Sequence, residues 1–316
     1  MMYLRHFSLR EAPFSITPDA AFFYPHEGAQ AALNTLLVAI RSGEGFLKIV
    51  GEVGCGKTVL CRQLLRALQG ECVTAYIPNP DLGPRDLLLV LAQELGLKLP
   101  ASATRHRLLD SLQGCLVAHA AQGRQVVVII DEAQAIPVRT VESLRLLSNL
   151  ETEKRKLLQI VLLGQPELDR KLARPEIRQL LQRITFSDHL GPMAAARVGP
   201  YLHHRLQVAA LDARTPVDVF EAPAVQALAQ CSAGIPRLVN VLANKCLMLA
   251  FGENRHHVTL ADVRLAARDT GGVDPALASA TSWWDRLVGG RFRTAGGQGD
   301  AIAVSAMPGE SPKARP

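Results

Sequence analysis

The chain has 316 residues, 48% of them hydrophobic and 20% charged, with a formal net charge of +6. That balance excludes a mainly disordered protein and leaves room for two ordinary domains. The modest positive charge permits contact with nucleic acid or anionic lipid without specifying either.

Taken in chain order, the opening Met1 to Asp19 alternates charged and aromatic residues and lacks an apolar run followed by a small-residue cleavage site, so no secretory signal is expected. Apolar runs such as Leu87 to Ala92 and Val126 to Ile130 are far shorter than the roughly 18 residues of a bilayer-spanning helix. Cytoplasmic localisation is the expectation. The six cysteines, at 55, 61, 72, 115, 231 and 246, form no CxxC pair and lie mostly in apolar segments, which suits reduced, buried thiols rather than zinc ligands or disulfides.

From Phe46 to about Leu190 short apolar runs alternate with longer helical patterns, the rhythm of a parallel sheet with crossover helices. Strands are predicted at Phe46 to Val50, Cys72 to Ile77, Gln125 to Ile130, Leu158 to Leu163 and Ile184 to His189. Helices are predicted at Lys57 to Gln69, Arg85 to Leu95, Arg105 to Ala121, Thr140 to Glu153 and Pro175 to Gln182. After Gly191 the strand signals fade, and helices are expected at 194–209, 222–232, 236–250 and 260–268. Pro236 suits a first helical turn, and Thr259 with Asp262 resembles a capping box in which Asp stands for the preferred Glu or Gln. From Gly271 onward, 16 of the last 46 residues are Gly, Pro or Ser, the composition of a largely unstructured tail. Within it Trp283, Trp284, Leu287, Val288 and Phe292 could share one face of a short helix, with Arg286, Arg291 and Arg293 nearby. Packing back on the folded domain and contact with a partner or membrane surface are both open readings of that segment.

The segment Gly51-Glu52-Val53-Gly54-Cys55-Gly56-Lys57-Thr58 matches GxxxxGK[ST] and stands where that motif requires, after an apolar strand and before a helix. Backbone N–H groups of such a loop face phosphates, and the helix start adds a favourable dipole. Lys57 is assigned to the β and γ phosphates of ATP and the Thr58 hydroxyl to Mg2+, a hard cation that prefers oxygen ligands. Val126 to Ile130 then runs into Asp131-Glu132, an apolar strand ending in two carboxylates. Alone, such a pair is often a solvated turn. Paired with the phosphate loop, it assigns Asp131 to the metal and Glu132 to the attacking water. This is the pattern of a P-loop NTPase that hydrolyses its nucleotide.

With these motifs in place, the sequence resembles the AAA+ ATPases, and among them the family that contains general secretion pathway protein A and the MSHA pilus biogenesis protein MshM. The resemblance covers about residues 2–270 and rests also on the opening Tyr3-Leu4-Arg5-His6-Phe7-Ser8-Leu9-Arg10-Glu11-Ala12-Pro13-Phe14, followed by Thr17-Pro18-Asp19 and Phe22-Phe23-Tyr24. It implies an α/β core of AAA+ type over 1–190, with a five-stranded parallel sheet flanked by helices and an N-terminal strap over 1–30 that lines the adenine side. A small all-helical lid would follow over 191–270, then the tail over 271–316. It implies a polar sensor at Gln165 within Leu162 to Leu168, a finger arginine reaching a neighbour's nucleotide at Arg183 or Arg178, and a lid sensor at Arg237 within Gly234 to Asn240. An arginine in a first helical turn is badly placed for the helix dipole, which points to an anion near Arg237.

The resemblance further implies a homo-oligomer with nucleotide at the subunit interface, and a supporting role with inner-membrane proteins of type II secretion or of an MSHA-type pilus. With no membrane span expected after the lid and no room expected for a peptidoglycan-binding domain, the expectation is a chain nearer the pilus member. The competing expectation is a DNA-associated ATPase of the transposition-helper type. Lys154 to Arg183 holds eight Lys or Arg against three Asp or Glu, readable as a DNA face or as residues serving a nucleotide interface. The pairs His203-His204 and His256-His257 lack metal-site spacing and are expected on helix and loop surface.

Overall fold

Residues 3–148, 156–212, 218–271 and 273 are described in this computed structural model. The five apolar runs form the strands β1 (Phe46–Val50), β2 (Cys72–Ile77), β3 (Gln125–Ile130), β4 (Leu158–Gly164) and β5 (Ile184–His189), as expected. They make one parallel sheet in the order β2-β3-β4-β1-β5. The three central strands are buried along nearly all of their length because helices cover both faces.

Successive strand residues point to opposite faces, and the core divides accordingly. Leu47, Ile49, Val127, Ile129, Val161 and Leu163 pack with α2 (Glu27–Arg41) and α3 (Lys57–Ala67). Phe46, Val126, Val128, Ile130, Ile160 and Leu162 pack with α4 (Pro84–Glu94), α5 (Arg105–Ala121), α6 (Val138–Leu147), α7 (Glu167–Leu172) and α8 (Arg178–Leu181). Each fully buried Leu or Ile contributes about 1.5–3 kcal/mol by leaving water.

Helix α2 was absent from the sequence reading, although Ala29, Ala32, Leu33, Leu36 and Ile40 recur at the spacing of one buried helical face. Helix α6 begins two residues earlier than expected, and 149–153 of that expected helix lie outside the described residues. The expected single helix from Pro175 to Gln182 is two pieces, a 3-10 turn Pro175–Ile177 and α8, because Ile177 at φ −122° leaves the helical range.

The C-terminal helices are α9 (Ala195–Ala209), α10 (Ala222–Ser232), α11 (Pro236–Gly252) and α12 (Leu260–Arg268). Their apolar faces form a separate core. That core also buries Tyr3 from the short α1 (Tyr3–His6), together with Phe7, Leu9, Phe14 and Phe22. The strap is thus held by the helical bundle, with Arg10 N–H donating to Ala209 O at 2.8 Å and Leu211 N–H to Ser8 O at 2.9 Å. The capping box of α12 forms as expected. Thr259 N–H donates to Asp262 Oδ2 at 2.8 Å, and Arg255 adds two guanidinium bonds to the same buried carboxylate at 2.6 and 2.9 Å.

Cys55, Cys61, Cys231 and Cys246 are buried and none of the six cysteines is in a disulfide, with burial pushing the Cys61 thiol up to about 12. Among the described residues no helix is long and apolar enough to cross a membrane. The tail segment around Trp283 and Trp284 lies outside the described residues.

Candidate nucleotide site

Register brings the chemistry to one edge. Val50 stands level with Gly164 and Ile130 with Leu162, so the residues following β1, β3 and β4 emerge together at the carboxyl end of the sheet, where ligands of open α/β folds bind. These are the loop from Gly51, the pair Asp131-Glu132, and Gln165. An open cleft there is lined by Gly54, Gly56, Lys57, Thr58, Glu132, Gln165 and Arg237, with strap residues Ser15 to Asp19 on its other wall.

Lys57 is 5% exposed, and its ammonium donates to the carbonyls of Gly51 at 2.7 Å and Glu52 at 3.0 Å. A buried ammonium without a carboxylate partner among the described residues, resting on its own loop, is positioned to meet phosphate oxygens. Gly54 adopts φ +87°, and an added Cβ would come 2.8 Å from Arg237 Cβ. A side chain is excluded there on both counts. The same contact carries a hydrogen bond, from Arg237 N–H to Gly54 O at 3.2 Å. The first turn of α11 therefore sits on the loop, while the Arg237 guanidinium is exposed beside it without a protein partner among the described residues.

Thr58 Oγ1 donates to Asp131 Oδ2 at 2.8 Å, and Glu132 N–H to Asp131 Oδ1 at 2.9 Å. Asp131 is 2% exposed. Burial raises its pKa, and the hydrogen bonds from Thr58 and the Glu132 N–H offset only part of that. A buried carboxylate paired with a hydroxyl fits the oxygen set that Mg2+ requires. Glu132, at φ +50°, accepts on Oε2 from Gln134 Nε2 at 2.6 Å and Gln165 Nε2 at 3.1 Å. Sequence reasoning named Glu132 and Gln165 but not Gln134.

Arg183 and Arg178, expected to reach a neighbour's nucleotide, stand apart from this chain's own cleft. Arg183 donates to Ser148 Oγ of its own chain at 2.9 Å, and Arg178 is exposed on α8. In the basic stretch, Arg170 pairs with Glu167 at 2.6 Å, and Lys171 donates to the carbonyls of Gln134 and Ile136. Lys154 and Arg155 lie outside the described residues. His203, His256 and His257 are exposed and His204 half-buried, and no metal-binding group of His, Cys, Asp or Glu occurs among the described residues.

Arg205, also unforeseen, is 7% exposed on α9. It donates to Pro13 O, to Ser15 O at 3.4 Å and to Tyr201 Oη at 3.1 Å, and its guanidinium lies 4.7 Å from the Phe22 ring centroid. Tyr201 in turn donates to Asn240 Oδ1 at 2.8 Å. This group ties the cleft-lining strap to α9 and α11. No local sequence signal marks it, since a helical arginine four residues after a tyrosine ordinarily faces water.

The model of the family described as AAA domain matches residues 40–172. General secretion pathway protein A of Aeromonas hydrophila is 40% identical over 297 residues, covering 90% of this chain and 54% of the relative. The chain thus spans about half the length of the curated relative it matches. Among solved structures, Cdc6p from Pyrobaculum aerophilum is 17% identical with a TM-score of 0.64, covering 84% of this chain and 72% of its own. The Aeropyrum pernix ORC2 protein, in ADPNP–ADP complexes, is 20% identical with a TM-score of 0.60, covering 86% and 75%. At those identities the two structures show the fold alone. Its AAA domain, its strand order and its likeness to general secretion pathway protein A together place this chain among the AAA+ P-loop proteins.

Proposed function

We propose that this chain is an ATP-hydrolysing accessory ATPase that supports assembly of an envelope machine of type II secretion or of an MSHA-type or type IV pilus. The convergence of Lys57, Thr58, Glu132, Gln165 and Arg237 on one cleft, with buried Asp131 bonded to Thr58, carries the hydrolytic half of this reading. Gly51 to Thr58 cradle the phosphates, with Lys57 exchanging its loop carbonyls for β and γ oxygens. Thr58 and Asp131 would hold Mg2+, which would supply positive charge against the phosphates. Glu132 takes the proton of the attacking water, Gln165 orients that water against the γ-phosphate, and Arg237 meets the same phosphate from the lid.

The domain limits that go with this reading are a core over 1–190 and a lid over 191–270, working as a homo-oligomer in which Arg183 or Arg178 reaches a neighbour's nucleotide. The name of the A. hydrophila relative supports the envelope role, exercised from the cytoplasmic side with a peripheral contact at the inner membrane.

Nucleotide binding and phosphate release by the wild type, Lys57→Ala and Glu132→Gln test the hydrolytic half. Lys57→Ala should lose ATP binding, and Glu132→Gln should keep it with turnover reduced on the order of 10²-fold or more. A wild type without turnover, or an active Glu132→Gln, overturns it. Co-purification with inner-membrane secretion or pilus proteins supports the cellular half. Salt-sensitive retention of duplex DNA without such co-purification replaces it with the transposition-helper reading.

A further inference from the structure

Glu132 is one of four non-glycine residues with positive φ among those described, a backbone state that persists only where its surroundings impose it. What surrounds it is a closed circuit of amides. Gln134 Nε2 donates to Glu132 Oε2 at 2.6 Å, Gln165 Nε2 donates to the same oxygen at 3.1 Å, and Gln134 Oε1 accepts from the Gln165 backbone N–H at 3.0 Å. No protein donor among the described residues reaches the other Glu132 oxygen, Oε1.

Three further features keep the circuit in place. Gln134 lies in the 3-10 turn Ala133–Ala135 directly after Glu132. Lys171 of α7 donates to the carbonyls of Gln134 and Ile136, fixing that turn from outside. Gly164, at the end of β4, leaves room for the Gln134 amide, because a Cβ there would come 3.2 Å from Gln134 Oε1 and 2.8 Å from Leu168 Cδ2.

We infer that Gln134 is a positioning residue for hydrolysis, anchoring one oxygen of Glu132 so that the other is held toward water, and linking that carboxylate to Gln165. The inference rests on the hydrolytic reading above. A general base whose carboxylate rotates freely spends little time in reach of its water, and displacement by about 1 Å costs on the order of 10²-fold in rate. Gln134 bonds both the carboxylate and the Gln165 backbone, so a shift of Gln165 onto a γ-phosphate is transmitted to Glu132 through one side chain.

Two variants separate this role from simple support of the fold. Gln134→Met removes both hydrogen bonds at similar length, while Gln134→Glu keeps the acceptor for Gln165 N–H and removes the amide donor. Each is made alone and with Glu132→Gln, and kcat, nucleotide Kd and melting temperature are measured. Both single variants should lower kcat about tenfold to a hundredfold and leave Kd within about twofold. Because Gln134 acts through Glu132, neither should lower the residual rate of Glu132→Gln by more than about twofold. Single variants with wild-type kcat, or losses that multiply in full on the Glu132→Gln background, overturn the inference. If Gln134→Met unfolds, the nearly isosteric Gln134→Glu decides alone. A wild type that does not turn over ATP is a separate failure, of the hydrolytic reading itself.

Discussion

Arg237 N–H donates to the carbonyl of Gly54 at 3.2 Å, across 183 residues of chain. The Gly51 to Thr58 loop and the first turn of α11 are therefore joined by a hydrogen bond, so a tilt of α11 would be felt at the loop proposed to hold phosphate. Gly54 permits this by lacking a Cβ and by adopting φ +87°.

Gly54→Ala should break that bond. The methyl strains a left-handed backbone and meets Arg237 Cβ, so the loop or the helix must retreat. Isothermal titration with a non-hydrolysable ATP analogue should show affinity falling at least tenfold, with the melting temperature changed by only a few degrees. Unchanged affinity would separate the lid from phosphate binding.

Arg205→Leu should loosen the strap. The carbonyls of Pro13 and Ser15 lose a charged donor inside a buried site, and the stacking on Phe22 is lost. Urea unfolding should show a loss of about 2 kcal/mol or more, and the KM for ATP should rise because Ser15 to Asp19 line the cleft. A destabilised variant with unchanged KM would mean that the strap serves only the helical core.

The Asp262 carboxyl gives the lid an acid limit. Burial by itself would raise its pKa, but the Arg255 guanidinium and the Thr259 N–H and hydroxyl outweigh that and hold it below the ordinary carboxylate value. A pKa lower in the folded than in the unfolded chain stabilises above the unfolded value, about 3.9, and that stability is lost as pH falls through the folded value. Asp262→Asn should cost about 2–3 kcal/mol at pH 7, less than a fully buried pair because Arg255 is partly exposed. The difference from wild type should shrink below about pH 4. Thermal melts of both proteins at pH 7 and pH 3 check this, and a constant difference would contradict it.

Arg183 bonds Ser148 through Nη1, so serving a neighbour's nucleotide uses its remaining donors or releases Ser148. If it serves one, specific activity rises with protein concentration, and mixing Arg183→Ala with Lys57→Ala subunits restores part of it. Finger arginines contribute on the order of 10³ to 10⁵ in rate in related transfers. Mixed oligomers without recovery would assign the role to exposed Arg178 or remove it from α8 and its surroundings altogether.

The strands, the phosphate loop, the acidic pair and the four C-terminal helices were legible in the sequence because each follows from a local pattern. A run of apolar β-formers between turns makes a strand, and eight residues of fixed spacing make the loop. Helix α2 was legible in the same way, through the spacing of Ala29, Leu33, Leu36 and Ile40, and was missed. Local patterns do not say which distant groups meet. Only the tertiary structure set Arg237 on Gly54, seated the strap aromatics in the helical core, closed the circuit from Gln134 to Gln165 and placed Arg183 on Ser148. Each of these joins residues from different elements, fixed by strand register and helix packing rather than by neighbours along the chain.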